Sequence, residues 1–318
     1  MINMAPPKKA KLPSNVRHAR RVNYLRRTWM LYLMLVLPIA FFIIFRYIPM
    51  TNLAIAFKDY NMFKGVWNSP WVGFKWFQKA FNTRDFWYAV RNTVTLNLLD
   101  LLVSFPTPVM LAIILNELAF RRFKRITQTI VYLPHFLSWI IISGFALQLF
   151  APNTGLVNIY LAQKGRPVID FLGASNLWVA TYIGLGLWQS VGWNTIIYLA
   201  AITGINPEQY EAAEVDGASR IRKMWHVTLP GLRPTIVILL ILSLGRILGS
   251  EFDRPYAMRN PLVTGVADVI STYVYRVGIR SNQFSLAAAV GFFQSVICVL
   301  FLVTANTFAK RSGERGIW

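Results

Sequence analysis

Asn206-Pro-Glu-Gln-Tyr-Glu-Ala-Ala-Glu-Val-Asp-Gly-Ala-Ser219 is a short, polar, helix-forming stretch lodged between two strongly apolar segments. Asn206 suits an N-cap, Pro207 suits the first helical position, and Glu208 and Glu211 lie near the positive end of the helix dipole. Ala212 and Ala213 leave a flat face that a partner backbone can approach closely. Gly217 lets the chain turn before a second helical run, 218–227. That run carries Arg220, Arg222 and Lys223 and is expected to stop at Leu229-Pro230, because proline cannot extend it. The stretch therefore predicts a helix–turn–helix elbow that presents small residues and charge. A plain linker would not need two helices and a cap.

The flanks define the class. Of 318 residues, 55% are hydrophobic and 14% charged, where a soluble domain runs near ~25% charged. Six runs approach the ~20 residues that cross a hydrocarbon core of ~30 Å: 29–48, 93–115, 126–150, 177–203, 235–250 and 284–309. A soluble helical protein would not carry so many. The fold class predicted is an all-α, polytopic membrane protein with six transmembrane helices. The one cysteine, Cys298, lies inside an apolar run, so there is no disulfide framework and no cysteine metal site, and it reads as a packing residue.

Orientation follows from basic residues. An even number of spans puts both termini on one side, with segments 1–27, 117–125, 204–233 and 310–318. These hold 19 Lys/Arg in 75 residues, against 12 in the 101 residues of 51–92, 151–176 and 251–283. The denser side is cytoplasmic, which places both termini and the elbow in the cytosol. Residues 1–27 form a basic arm with Lys8, Lys9, Lys11, Arg17, Arg20, Arg21, Arg26 and Arg27. No nucleic-acid recognition fold accompanies it, so topology and anionic lipid are its expected business. The run at 29–45 is longer than a signal-peptide core, and no small-x-small cleavage site follows.

Polar and proline positions interrupt the spans: Pro38, Pro106, Pro108, Pro134 beside His135, and Asn97 with Asp100. Such breaks are tolerated where other helices satisfy the backbone or where the segment lines a wet cavity. The loop 51–92 is rich in aromatics, among them Trp67, Trp71, Phe74, Trp76 and Trp87. Two readings stand for it: an interfacial segment in the headgroup belt, or a stacking surface for sugar rings.

The elbow resembles the Glu-Ala-Ala loop of ABC importer permeases, through Glu211-Ala212-Ala213, Gly217 and Val227-Thr228-Leu229-Pro230. The fuller run from Pro207 through Tyr210, Asp216, Gly217, Ala218 and Ser219 is similar to the carbohydrate branch, the family of the maltose permease's large subunit. Phe45-Arg46-Tyr47-Ile48-Pro49-Met50, Ala56-Phe57-Lys58-Asp59-Tyr60 and Ser69-Pro70-Trp71-Val72-Gly73 look like the LplB-type polysaccharide permeases. So do Asn260-Pro261-Leu262-Val263 and Ala267-Asp268-Val269-Ile270-Ser271-Thr272-Tyr273-Val274-Tyr275-Arg276. The likeness runs from about residue 28 to the C-terminus. It implies two parts: a basic cytoplasmic arm, 1–27, and a type I ABC importer permease domain, 28–318, with its coupling loop at 204–233.

By that resemblance, Glu211, Ala212, Ala213, Asp216, Gly217, Ala218, Ser219, Leu229 and Pro230 couple the spans to an ATPase subunit. Closure of two such subunits on Mg-ATP would swing the spans from inward-open to outward-open, and an extracytoplasmic solute-binding protein would release oligosaccharide into the cavity. A second, similar permease subunit, a heterodimeric arrangement and a bacterial cytoplasmic membrane complete the expectation. Membrane lipid is a further partner; nucleic acid is not. The residues add an independent point. No Gly-Lys dipeptide occurs anywhere, so no Walker A loop exists in the chain. It binds no cofactor of its own, has no catalytic or metal-binding residues, and takes its energy from another polypeptide.

Substrate candidates are the ionisable and polar groups at membrane depth: Arg246, about eleven residues into the fifth span, Glu251 and Asp253 at its outer end, and Asn97 with Asp100 in the second. Charges there are costly unless paired or facing water. Arg246 either pairs with Asp100 or Glu251 to lock helices, or lines the cavity and meets substrate. The outer loops carry a net +6, and such a field concentrates anions. Acidic oligosaccharides, fragments of alginate or pectin, are therefore preferred to neutral ones or other solutes. Two other classes are considered. A membrane-embedded glycan enzyme would need convergent carboxylates or a metal, and His18, His135 and His226 are far apart; Glu251 and Asp253 are weak evidence for a glycosidase pair. A pure scaffold or assembly protein is the other option, and ATP hydrolysis stimulated by binding protein and sugar would separate a transporter from both.

Overall fold

The structure, a computed structural model, describes residues 14–249, 251–314 and 316–317. Of the basic arm, Lys8, Lys9 and Lys11 lie outside the described residues. The chain divides into two compact units, 1–54 and 55–318.

The first unit is essentially one helix, α1 (Ser14–Phe42), continued by a wider turn over Ile43–Tyr47 and a short helical piece to Met50. The apolar helix counted along this stretch is Arg26–Phe57, longer at both ends than the expected 29–48. Over 29–53 its large apolar side chains are exposed, Leu37 at 77%. That is tenable in lipid and costly in water.

The second unit is a helical bundle. α2 (Arg84–Ser104) and α3 (Pro106–Glu117) form one apolar span. Pro106, which has no N–H to donate, sits at the start of α3, where that N–H would be unsatisfied anyway. α4 (Arg121–Tyr132) and α5 (Trp139–Phe150) overturn an expectation: the run 126–150 is not straight but bent by 102°. Pro134 lies in a tight 3₁₀ turn over Leu133–Phe136, Leu137 is extended, and Ser138 caps α5 by accepting from the Ile141 N–H.

α6 (Ser175–Thr203) is the central column. At ~1.5 Å per residue it is ~43 Å long. Trp, Gly, Gln, Ser and Asn make it less apolar than the other spans, which is tolerated because it packs on protein at both ends. Trp178, Tyr182 and Ile183 join Leu96, Val263 and Val269 in one cluster. Tyr198 and Ile202 join Val109, Ala112 and Leu232 in another.

α7 (Pro207–Val215) and α8 (Arg220–Lys223) follow, then α9 (Leu229–Leu244). Here the expected stop at Leu229-Pro230 is corrected. A wide π turn over Met224–Thr228 shifts the hydrogen-bond register, Pro230 falls in the first turn of α9, and Arg220–Leu244 runs on as one helix. The fifth span thus begins and ends earlier than the expected 235–250.

Between α9 and α12 (Phe284–Arg311) lie α10 (Asp253–Met258) and α11 (Ile270–Tyr275). The limbs Pro261–Ala267 and Ile270–Arg280 are apolar but bent by 116°. Singly they reach only ~10 and ~16 Å, short of the ~30 Å core, so they cap the bundle rather than span it. Among the described residues the regular structure is helical, with a single isolated bridge, Lys58 to Trp71.

Candidate functional site

The elbow is built by local chemistry. The Asn206 carboxamide oxygen accepts the Glu208 N–H at 3.1 Å and caps α7. At the other end, the Gly217 N–H donates to Glu214 O at 3.0 Å and the Ala218 N–H to Ala213 O at 2.9 Å. This is a Schellman termination, and it puts Gly217 at φ +72°, where a side chain is strained. Ser219 then caps α8 by accepting from the Arg222 N–H. Two contacts set the angle between the limbs: Tyr210 Oη to Thr228 Oγ1 at 3.0 Å and Lys223 to Glu214 at 3.2 Å. Leu229 packs beneath, beside the cluster of Tyr198, Ile202 and Leu232.

Glu211, Ala212, Asp216, Gly217 and Ser219 are exposed, as is Pro230; Ala213 and Ala218 are half-buried. Three apolar side chains that sequence reasoning did not single out are also exposed: Val215 at 89%, Ile221 and Trp225. Large apolar groups on an otherwise polar elbow are the signal that was available.

At the far end of α9 the helix is interrupted after Leu244. The carbonyl of Ile247 accepts from Asn97 Nδ2 and that of Leu248 from Gln294 Nε2, each at 2.7 Å. Side chains from α2 and α12 thereby satisfy backbone that left the helix at membrane depth. Asn97 is therefore engaged with the backbone.

Asp100 has a partner, but not one expected. Its carboxylate accepts from Arg254 on α10 at 3.2 Å, and from Ser104 Oγ at 3.2 Å. Arg254 is only 8% exposed. Its Nη2 also donates to the Tyr182 carbonyl at 2.7 Å, and its guanidinium lies 3.9 Å over the Tyr182 ring and 5.2 Å from Trp139. Gly186 on α6 leaves the room, since a β-carbon there would overlap the guanidinium. Arg246, by contrast, is exposed and forms no ion pair among the described residues, so neither pairing considered for it occurs. Glu251 and Asp253 are exposed on either side of Phe252. The structure thus joins Asp100 and Asn97 to structural partners and leaves Arg246, Glu251 and Asp253 open.

Residues 89–313 match the family of binding-protein-dependent transport system inner membrane components. The chain is 42% identical to protein LplB of Bacillus subtilis, with 92% of each chain covered. It is 41% identical to the polygalacturonan/rhamnogalacturonan transport system permease protein YteP of the same organism, covering 91% of this chain and 90% of that one. A crystal structure of a bacterial alginate ABC transporter in complex with alginate pentasaccharide-bound periplasmic protein superposes with a TM-score of 0.84 at 38% identity, covering 93% of this chain and 99% of that one. The resemblance read from residues 45–73 and 260–276 is borne out. The chain belongs to the inner membrane components of binding-protein-dependent transport systems, as a non-catalytic permease subunit of an ABC importer whose ATPase is a separate polypeptide.

Proposed function

We propose that this permease imports acidic oligosaccharides built from uronic acids. The observation that carries the importer half of this reading, an ATPase-driven permease, is the elbow of α7 and α8: capped at both ends, braced by Tyr210 and Lys223, with Ala212, Val215 and Ile221 exposed for a partner. Glu211, Ala212, Ala213, Asp216, Gly217, Ala218 and Ser219 seat in a groove of an ATPase subunit, with Leu229 and Pro230 carrying the push into α9. Two ATPase subunits, a second permease subunit and an extracytoplasmic binding protein make up the importer. Residues 1–27 form a cytoplasmic arm, 28–318 the permease domain, and both termini face the cytosol of a bacterium.

The acidic character of the cargo is supported by chemistry on both sides. Alginate and polygalacturonan, named for two relatives, are polyuronates, and the loops read as external carry a net +6. Arg246, exposed and free of an ion pair among the described residues, is a side chain able to meet a carboxylate deeper in the path, with Glu251 and Asp253 beside it and with Asn97 and Asp100 shaping the wall through the Ile247 carbonyl and Arg254 that they hold. ATP hydrolysis by the reconstituted importer, measured with its binding protein across neutral and uronic oligomers, tests this. Stimulation by uronic oligomers alone is expected; stimulation by neutral ones alone would refute the cargo, and no stimulation by any sugar would refute the importer.

A further inference from the structure

Three aromatic rings from two segments touch one another just past the break after α9. Phe252 stacks on Tyr256 at 4.7 Å, and Tyr275 meets Phe252 at 5.0 Å and Tyr256 at 5.4 Å. Two guanidinia rest on the cluster, Arg259 at 4.3 Å over Tyr256 and Arg280 at 5.7 Å over Tyr275. Arg280 Nη2 also donates to Tyr256 Oη at 3.3 Å. The Tyr275 hydroxyl foremost, then the Arg280 and Arg259 charges, hold the Tyr256 phenol below its ordinary value.

The contrast with Arg276 is informative. That side chain is paired with carboxylates, Asp268 at 2.7 Å and Asp85 at 3.6 Å. Among the described residues, Arg259 and Arg280 have no carboxylate partner. A guanidinium resting on a ring uses its face for that contact and leaves its in-plane N–H groups for other partners, and although Arg280 spends one of them on Tyr256, the rest can still grip a carboxylate.

The mount is rigid. The opposite face of α10 is buried through Arg254, Pro255 and Met258. Arg254 ties it to Asp100, and Trp178 Nε1 donates to the Met258 carbonyl at 2.9 Å. Arg259 therefore leaves a fixed helix end, so its guanidinium is pre-organised. The cluster also adjoins non-helical backbone, which membrane proteins keep beside protein or water rather than lipid. A sugar path fits that setting better than a phospholipid headgroup does.

We infer that Arg259 and Arg280, held on Tyr256 and Tyr275, receive the carboxylates of an acidic oligosaccharide as it enters the membrane path. This rests on the uronate cargo proposed above. The test uses proteoliposomes holding the full importer, with its binding protein loaded with galacturonate trimer or mannuronate trimer. In the variant with Arg259→Gln and Arg280→Gln together, KM for uptake is expected to rise about tenfold or more, the scale of losing charge-assisted hydrogen bonds. ATP hydrolysis without binding protein and the melting temperature should stay unchanged. Arg259→Lys with Arg280→Lys should recover only part, since an ammonium cannot fork.

An unchanged KM in the double Gln variant overturns the site while leaving the uronate cargo standing. Failure of the wild-type importer to take up either trimer overturns both. Equal weakening of the importer's affinity for loaded and unloaded binding protein overturns the site in favour of a protein-docking surface.

Discussion

Asp100 on α2 and Arg254 on α10, 154 positions apart, share a 3.2 Å charge-assisted hydrogen bond beside Gly186 of the central column. Burying such a pair adds little net stability, but removing one partner strands the other. Asp100→Ala is expected to destabilise the detergent-purified complex by about 3 kcal/mol, the lower edge of the usual range, because the carboxylate is 30% exposed. Asp100→Leu combined with Arg254→Met should regain most of that in thermal melts. A double variant as unstable as the single one would show the pair is not the reason.

Gly186→Ala follows from the same cradle. The methyl group would displace the guanidinium, so Arg254, now only 8% exposed, would lose both Asp100 and the Tyr182 carbonyl. A melting-temperature loss at least as large as that of Asp100→Ala is expected. Gly184→Ala, where a β-carbon meets nothing within 4 Å, is the matched control and should be near neutral.

Legibility divides along the range of the chemistry. The elbow could be read because its determinants are local: Asn206 caps the residue two ahead, and Gly217 and Ala218 close the helix onto carbonyls three and five residues behind them. The bend at Leu137 had a signal in Pro134, but a proline marks a break without giving its angle. The end of α9 had none, because glycines such as Gly245 and Gly249 are also tolerated inside helices; what stabilises it is Asn97 and Gln294, in distant helices. Sequence position favours Arg246 over Arg254, because of the two only Arg246 falls inside a predicted span. Only the fold reveals that Arg254 is the one Asp100 holds.

Asn97→Leu tests the broken helix. It leaves the Ile247 carbonyl without its 2.7 Å donor, and an orphaned group of this kind costs roughly 1–3 kcal/mol. Thermal melts should fall accordingly, and Gln294→Leu should act alike on Leu248. If Asn97→Leu instead raises the KM for uptake at unchanged stability, the side chain serves the cargo rather than the backbone.

Arg246→Ala addresses the open candidate. The side chain is exposed and holds no ion pair among the described residues, so stability should move by no more than ~0.5 kcal/mol. Uptake of uronate trimers should nevertheless drop. Undiminished uptake by this variant would remove Arg246 from the substrate path.

Val215→Asp separates docking from folding at the elbow. The residue is 89% exposed and packs in none of the core clusters, so an isolated permease should melt close to wild type. An apolar anchor at a partner interface is worth about 2 kcal/mol or more, close to thirtyfold in affinity. Co-purification with the ATPase subunit should fall by that order, and binding-protein-stimulated ATP hydrolysis with it. Tyr210→Phe acts differently: it keeps the exposed surface but removes the 3.0 Å contact to Thr228. The ATPase should then still bind, while ATP hydrolysis becomes less tightly coupled to uptake. If Val215→Asp leaves ATPase binding intact, the elbow is not the surface through which force enters this chain.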